Sequence, residues 1–277
     1  MPQLLTREKT AYRSPLRYPG GKQRAAKTIV DILDQRLPAN SKVASPFFGG
    51  GSVELELASR GHRVRGSDFF APVAAFWQQL SSNKETLSAK ASEFVPHMDK
   101  DLFYLLQKEI RAELKKDSPN FDQLAWRFFV INRSSFSGAT LSGGMATGDR
   151  FTSSSIERLR QVDMSSIEVR HGDYWQQLFD RNRRRFTFDA IYADPPYALD
   201  CSKLYGDKGS THGEFDHARF AGHMNQLKAK YNVPTLISYN DCDTVRELFK
   251  GWKFQSIEWA YGMNASKKSN EVLISNF

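Results

Sequence analysis

Four consecutive residues, Asp194, Pro195, Pro196 and Tyr197, follow directly on a short apolar run. Neither proline has a backbone N–H, so this turn presents carbonyl oxygens and one carboxylate, all of which accept hydrogen bonds. A group of acceptors suits a ligand that carries an NH2 group, and Tyr197 adds a flat face for a planar ring. The motif therefore predicts a site for an aromatic amine, such as a nucleobase with an exocyclic amino group.

Glycines and acids also follow three other predicted strands. The glycines 49–51 come after "SKVASPFF", Asp68 ends "HRVRGSD", and Asp173 and Tyr174 follow "SIEVRHG". Glycines let a ligand approach the backbone closely, and an acid at the end of a second strand is placed to bind ribose hydroxyls. A tight turn and helix caps explain the same residues, and the glycine loop matches neither the GxGxxG pattern nor the P-loop.

The elements around these motifs predict an α/β fold. Strand, glycine-rich turn, helix and strand alternate in the first part of the chain, as at the start of a doubly wound parallel sheet. Strand character returns in "FTFDAIYADPPY" and "VPTLISYND", and "KFQSIEWAYG" with "NEVLISNF" predicts a closing hairpin. We therefore expect a sheet that is mixed at one edge.

Between the two sheet-forming parts lies a segment of different character. "PVAAFWQQL", "DLFYLLQKEIRAEL" and "FDQLAWRFFVIN" predict helices, and residues 132–154 form a long loop rich in Gly, Ser and Thr. Structureless loops of this length are usually functional. We expect residues 1–70 and 166–277 to form one domain and residues 71–165 to form a helical insertion.

Composition narrows the class of protein. The chain has 277 residues, 40% hydrophobic, with a formal net charge of +8, which favours a polyanionic partner. Its two cysteines form no CxxC pair, and no apolar run approaches the roughly 20 residues of a membrane span, so we expect a cytoplasmic protein. The histidines of "HGEFDH" match no standard metal-site spacing, and we expect no metal. The arginine cluster 181–185 is either a phosphate contact or a solvated turn.

The motifs together resemble the Dam-type DNA adenine-N6 methyltransferases. "RYPGGK", "PFFGGGSV", "SDFF", "DPPY", "SYND" and "KKSNEVLISNF" occur in the order of that family and cover nearly the whole chain. The resemblance implies a Rossmann-like class I methyltransferase sheet with an inserted target-recognition domain, S-adenosylmethionine as cofactor, and double-stranded DNA as partner. It implies a flipped adenine as the base that is methylated at a specific site. We expect a monomer.

The resemblance also implies roles for individual residues. Asp194 and the Pro195 carbonyl would bind the target amino group within the Asp194, Pro195, Pro196, Tyr197 motif, and Tyr197 would stack on the base. Ser238, Tyr239, Asn240 and Asp241 would shape the neighbouring wall. The cofactor would be bound by Tyr18, Lys22, Phe47, Phe48, Gly49, Gly50, Gly51, Asp68, Asp173, Tyr174 and Asp194.

The inserted segment is the candidate reader of DNA. Its predicted contacts to phosphates or base edges are Arg127, Asn132, Arg133, Ser135, Ser137 and Arg150. The alternative is that the helical insertion and its arginines only pack against the rest of the protein and do not contact DNA. The loop after Arg133 lacks the Asn-Pro-Gly stretch that is common in relatives that methylate GATC, so the target sequence stays open. We also expect the glycine-containing segment 204–217 to be mobile without DNA.

Two details leave parts of this expectation open. Ser45 stands where the family often has an acid, so the contacts to the methionine part of the cofactor stay open in detail. The acceptors of the DPPY motif suit any exocyclic amine. Methylation of cytosine N4 or of adenine in RNA is therefore an alternative. A catalytically silent protein that binds DNA or the cofactor is another. Whether the chain works with a restriction enzyme is also open.

Overall fold

The computed structural model describes residues 12–146, 150–179, 185–198, 215–257 and 271–277. Within these ranges, seven strands form one sheet in the order β3-β2-β1-β4-β5-β7-β6. The strands are β1 (Lys42–Ser45), β2 (Arg63–Asp68), β3 (Ile167–His171), β4 (Ala190–Ala193), β5 (Thr235–Asn240), β6 (Lys253–Ile257) and β7 (Glu271–Ser275). The pairs from β3 to β5 are parallel, whereas β7 runs antiparallel to both β5 and β6. The predicted sheet, mixed at one edge, is confirmed.

Helices cover the sheet and form the segment between β2 and β3. In the described ranges they are α1 (Ala26–Asp34), α2 (Ser52–Ser59), α3 (Ala71–Ser82), α4 (Lys84–Ser92), α5 (Lys100–Leu114), α6 (Phe121–Ser134), α7 (Ser153–Gln161), α8 (Tyr174–Gln177), α9 (His217–Tyr231) and α10 (Asp243–Leu248). None of these helices is long and apolar enough to cross a membrane.

The core lies on both faces of the sheet. Consecutive side chains of a strand point to opposite faces, and Val43 and Ala44 of β1 accordingly belong to two separate apolar clusters. Every residue of β4 and of β5 is buried. Strands that are covered on both faces are mostly apolar, as "AIYA" of β4 is, and the Tyr192 hydroxyl in that run is hydrogen-bonded to Ser238 of β5.

The segment 71–165 is helical, with two differences from the sequence-based expectation. Residues Lys84–Ser92 form a helix that begins with Asn83, whose side chain accepts a hydrogen bond from the Thr86 N–H. Residues Ser153–Gln161 form another, because Thr152 and Ser155 form a reciprocal capping box at its start. The expected loop therefore ends at Thr152. Helix α3 packs against β2 and β3 as well as against α6, so it joins the sheet to the other helices.

The sheet order reverses between β1 and β4, its two central strands. β1 has β2 on one side and β4 on the other, and the chain leaves both β1 and β4 at the same edge. In open α/β sheets, ligands bind at the carboxyl ends of the strands beside such a reversal. The glycine loop follows β1 and the DPPY motif follows β4, so both lie at this point.

Candidate active site

A cavity of about 310 Å³ opens at the carboxyl ends of β1, β2 and β4. Every residue predicted for catalysis or cofactor binding lies on its wall. The wall contains Tyr18, Lys22, Phe47, Phe48, Gly49, Gly50, Gly51, Asp68, Asp173, Tyr174, Asp194, Pro195, Pro196 and Tyr197. The structure thus brings together motifs that are far apart in the sequence.

The glycine loop packs tightly under Tyr18. A Cβ at Gly50 would lie 2.8 Å from the Tyr18 Cβ, and one at Gly49 would lie 3.0 Å from the Tyr18 ring. Gly49 also has a φ of +48°, a conformation that residues with a side chain rarely adopt. The loop therefore requires glycine, and its backbone forms the surface between β1 and α2.

Asp68 links the second strand to this loop. Its carboxylate accepts hydrogen bonds from the Gly49 N–H and the Phe70 N–H, both at 2.9 Å. Burial raises the pKa of Asp68 to about 6, and the two N–H groups oppose this rise. A carboxylate has about four lone-pair positions, so these two bonds leave capacity for ligand hydroxyls.

Lys22 lies at the centre of a partly buried cluster of polar side chains. Its Nζ lies 3.1 Å from Asp194 Oδ1 and 3.4 Å from Glu271 Oε1, and it donates a 2.7 Å hydrogen bond to the Tyr197 hydroxyl. Tyr197 in turn donates a 2.6 Å hydrogen bond to Glu271 Oε1. Burial raises the pKa of Asp194, and Lys22 opposes the rise. We call these four residues the Lys22 group; it connects the first loop, the DPPY motif and β7.

Two residues of the "SYND" segment contact the DPPY turn and fix its position. The Asn240 side chain accepts a 2.9 Å hydrogen bond from the Ala198 N–H and donates one of 3.2 Å to the Ala198 carbonyl. The Tyr239 ring stacks beside Tyr197 at a centroid distance of 6.1 Å. The ring of Tyr197 is therefore fixed at its hydroxyl and along one face.

The other end of the cavity is aromatic. Phe47 packs at 5.2 Å from the Tyr174 ring and also contacts Phe215. The Tyr174 hydroxyl hydrogen-bonds His223 Nδ1 at 2.8 Å. Asp173 accepts from the N–H groups of Trp175 and Gln176 and caps α8, as the alternative interpretation of this residue expected.

Phe48 occupies a different environment from Phe47. Its ring is 2% exposed and packs edge-on against Trp77 at 5.0 Å. A Cβ at Gly66 would lie only 1.9 Å from the Phe48 ring, so Gly66 makes room for it. The Phe48 side chain is mainly a core residue that supports the glycine loop from below.

Three of the predicted DNA contacts are internal, which corrects their expected role. Asn132 and Ser135 are fully buried, and Arg133 is 9% exposed. Asn132 hydrogen-bonds the main chain of Arg17, whereas Arg133 donates to the Pro15 carbonyl and to Ser155, both at 3.3 Å. Side chains buried in this way present no free edge to a duplex; they fix the loop that follows α6.

The remaining three predicted contacts lie nearer the surface. Arg127 is half-buried, donates a 2.7 Å hydrogen bond to Glu109 and stacks over Trp126. Ser137 and Arg150 are exposed. Ser137 has a φ of +54°, a strained conformation for serine, in the turn after Phe136. The structure therefore does not bring the six predicted DNA contacts into one surface.

Sequence reasoning missed three residues of interest. Glu271 belongs to the Lys22 group, Glu54 lies on the cavity wall, and the Phe136 ring is 64% exposed beside Ser137. An acid inside the apolar strand "EVLIS" is a sequence signal for the first. The segments 181–184 and 204–214, for which a phosphate contact and mobility were expected, lie outside the described residues.

Metal ligation receives no support from the described part of the chain, where no group of three or more His, Cys, Asp or Glu side chains is placed to hold an ion. His217 instead hydrogen-bonds Tyr239. His212, the other histidine of "HGEFDH", lies outside the described residues.

Two solved structures are similar to this chain at low TM-scores. One is a methylase of Haemophilus influenzae, with 14% identity, a TM-score of 0.35, and coverage of 91% of this chain and 96% of that chain. The other is magnesium protoporphyrin IX methyltransferase of Synechocystis with bound S-adenosylmethionine. It has 12% identity, a TM-score of 0.37, and coverage of 92% of this chain and 79% of that chain.

Sequence comparison is more specific. DNA adenine methylases of two Vibrio cholerae O1 strains are 24% identical to this chain over 249 residues, which cover 86% of it and 85% of each relative. The family model of the D12 class N6 adenine-specific DNA methyltransferases matches residues 18–263. That match runs from the tyrosine of "RYPGGK" past the DPPY motif and β6, and the predicted resemblance is confirmed. The chain belongs to the D12 class of N6 adenine-specific DNA methyltransferases.

Proposed function

We propose that this protein transfers a methyl group from S-adenosylmethionine to the exocyclic amino group of an adenine at a specific site in duplex DNA. The observation that carries the proposal is the Lys22 group, which fixes the Asp194 carboxylate and the Tyr197 ring on the wall of the cavity. These are the two groups that an adenine amine and an adenine ring require.

Three features of the cavity support S-adenosylmethionine as its ligand. The glycine loop gives a ligand close access to the backbone, and Asp68 is placed at the end of the second strand to accept from ribose hydroxyls. Phe47 and Tyr174 form an aromatic wall on which an adenine ring can stack. When bound, the cofactor supplies an electrophilic methyl group on a sulfonium.

The chain's own residues then orient the acceptor. An aryl amine is a weak nucleophile because its lone pair is delocalised into the ring. Asp194 and the Pro195 carbonyl accept its two hydrogens, which favours a pyramidal nitrogen with a directed lone pair. The nitrogen must lose one proton as it gains the methyl group, and Asp194, whose pKa burial raises, is placed to accept it.

Reaching the base requires that adenine leave the duplex, at a cost of a few kcal/mol. Stacking on an aromatic side chain contributes about 1–3 kcal/mol per base, so Tyr197 offsets much of that cost. Net affinity must come from phosphate contacts, which the net charge of +8 favours.

The proposed DNA-binding surface is formed by the segment 71–165 together with "RYPGGK". Burial and the nearby charge of Arg150 lower the pKa of Arg17. An anion such as a phosphate would stabilise two like charges that are held close together in this way. Arg150 and Ser137 are exposed on this side, and we propose that a monomer binds DNA here.

The test is methyl transfer from labelled S-adenosylmethionine to mixed-sequence duplex DNA, followed by nucleoside mass spectrometry and mapping of the modified positions. We expect N6-methyladenine at one short sequence. If the methyl group were found on cytosine N4, or only in RNA, adenine in duplex DNA would not be the substrate. Cofactor binding without turnover on any nucleic acid would indicate a silent binding protein.

A further inference from the structure

Glu54 is a buried acid of the cavity wall to which the reaction described above gives no role. It lies in the first turn of α2, directly after the glycine loop, and is 2% exposed. Its Oε1 accepts a 2.5 Å hydrogen bond from the Ser45 hydroxyl at the end of β1. A carboxylic acid at such a position costs stability when it ionises, so its presence requires an explanation.

The groups that face Glu54 are mostly acids. Asp194 at the end of β4 and Asp68 at the end of β2 repel its negative charge, and Tyr192 of β4 lies close to it. Lys22 pairs with Asp194 and Glu271 instead. Burial is the main cause that raises the pKa of Glu54 to about 8, and the two aspartates add to it. Among the described residues, no lysine or arginine side chain balances this acid.

The charged side chains that line the cavity also favour a positively charged ligand. Of the described residues that line it, five are acids, namely Glu54, Asp68, Asp173, Asp194 and Asp216, and two are bases, Lys22 and Arg219. Asp173 caps α8 and Asp194 pairs with Lys22, so both are already engaged. Glu54 is the acid at the junction of β1 and α2 that remains for a cation from outside the chain.

We propose that Glu54 is a cofactor-binding residue that receives the ammonium group of the methionine part of the cofactor. The assignment rests on the proposed function. An ammonium has three N–H donors and suits a carboxylate, whereas a sulfonium has none. The entering cation stabilises the ionised form of Glu54, so binding at pH 7 releases a proton from this residue.

The experiment is isothermal titration of S-adenosylmethionine, S-adenosylhomocysteine and methylthioadenosine into the wild type and into Glu54→Gln. The first two ligands carry the ammonium group, and methylthioadenosine does not. We expect Glu54→Gln to lower the affinity for the first two ligands by about 10- to 100-fold and to leave the affinity for methylthioadenosine unchanged. Titration in buffers of different ionisation enthalpy should show that the proton release of the wild type is lost.

Two further variants keep the test interpretable. Glu56→Gln, on the same helix, removes a carboxylate that pairs with Arg60 outside the cavity and should bind like the wild type. Glu54→Asp shortens the carboxylate but retains its charge, so it should bind more weakly and still release a proton. Because Glu54 is mostly protonated in the free protein at pH 7, glutamine mimics its resting form, so the variant should keep the fold and melt without ligand no earlier than the wild type.

Unchanged affinity of Glu54→Gln for S-adenosylmethionine would overturn the role of Glu54 and leave the proposed function standing. Equal weakening of all three ligands would also overturn it, because the effect would then not depend on the ammonium group. If Glu54→Gln bound only S-adenosylmethionine more weakly, Glu54 would contact the sulfonium, and its proposed contact with the ammonium group would be wrong. If the wild type bound none of the ligands, the proposed function would fall as well.

Discussion

The side-chain amide of Asn132 forms two hydrogen bonds with the main chain of Arg17. Oδ1 accepts from the Arg17 N–H at 2.9 Å, and Nδ2 donates to the Arg17 carbonyl at 2.7 Å. Gly138 packs against the same carbonyl, so closely that a Cβ there would lie 1.8 Å from its oxygen. The end of α6 and the loop that carries Tyr18 and Lys22 therefore form one connected unit.

Asn132→Ala should destabilise the protein rather than change which bases it selects. Two backbone groups of Arg17 would lose their partners, at about 1–3 kcal/mol for each buried group left unsatisfied. Urea unfolding measures the loss, with exposed Ser137→Ala as the control. Normal stability together with altered sequence preference would show that Asn132 reads bases instead.

Asp194→Ala should lower the rate of methyl transfer by about 100-fold or more, because it removes an acceptor of the target amine. The rate is measured in single turnover with saturating DNA and cofactor, and circular dichroism checks the fold. Asp31→Ala removes an acid that pairs with Lys27 and Arg60 away from the cavity, and it should retain normal activity. A near-normal rate for Asp194→Ala would remove this residue from the mechanism.

Tyr197→Ala and Tyr197→Phe separate the ring from its hydroxyl. Alanine loses the stacking surface, so kcat/KM for DNA should fall about 5- to 150-fold. Phenylalanine keeps the ring and loses the hydrogen bonds to Lys22 and Glu271, so its defect should be smaller. A mismatch at the target adenine lowers the cost of flipping and should reduce the defect of the alanine variant. Equal losses for both variants would argue against stacking.

Phe136→Ala should weaken binding to DNA by up to about tenfold, because an exposed ring is available to stack on bases. The ring is 64% exposed, so the free energy of unfolding should stay near that of the wild type. Fluorescence anisotropy with labelled duplex measures the affinity. Leu105→Ala, at a side chain 50% exposed on α5, is the control. Equal affinities for Phe136→Ala and the wild type would place this ring outside the DNA surface.

Glu54 should give the free protein a distinct pH dependence of stability. Its pKa is about 8 in the fold against an ordinary 4.5, so the folded state binds the proton more tightly. The stability that it contributes is therefore complete below pH 4.5 and is lost as the pH rises to about 8. Urea unfolding between pH 4 and 9 should show that the wild type loses stability relative to Glu54→Gln across this window.

Asp68 acts with the same sign, between its ordinary pKa of 3.8 and about 6, but it does so in both proteins. The difference between them therefore isolates Glu54. Glu56→Gln should run parallel to the wild type. Parallel curves for Glu54→Gln and the wild type would show that Glu54 is not perturbed.

Local patterns predicted the sheet and the wall of the cavity because the carboxyl ends of parallel strands meet at one edge. Glycines after β1 and acids after β2 and β4 must then lie close together. The partners of Asn132 were not predictable, because its amide binds a backbone 115 positions away, at Arg17. Glu271 is recognisable in the sequence as an acid in an apolar strand, but its neighbours follow only from the antiparallel pairing of β7 with β5, which places it opposite Asn240.

The Lys22 group joins residues from near both ends of the described chain, and this has a consequence for folding. Lys22 precedes the first strand of the sheet, Asp194 follows β4, and Glu271 begins β7. Contacts between residues so distant in sequence form late, because long loops must close first. Recovery of enzymatic activity after dilution from denaturant should therefore lag behind the recovery of helical signal, and it reports the completion of the native sheet.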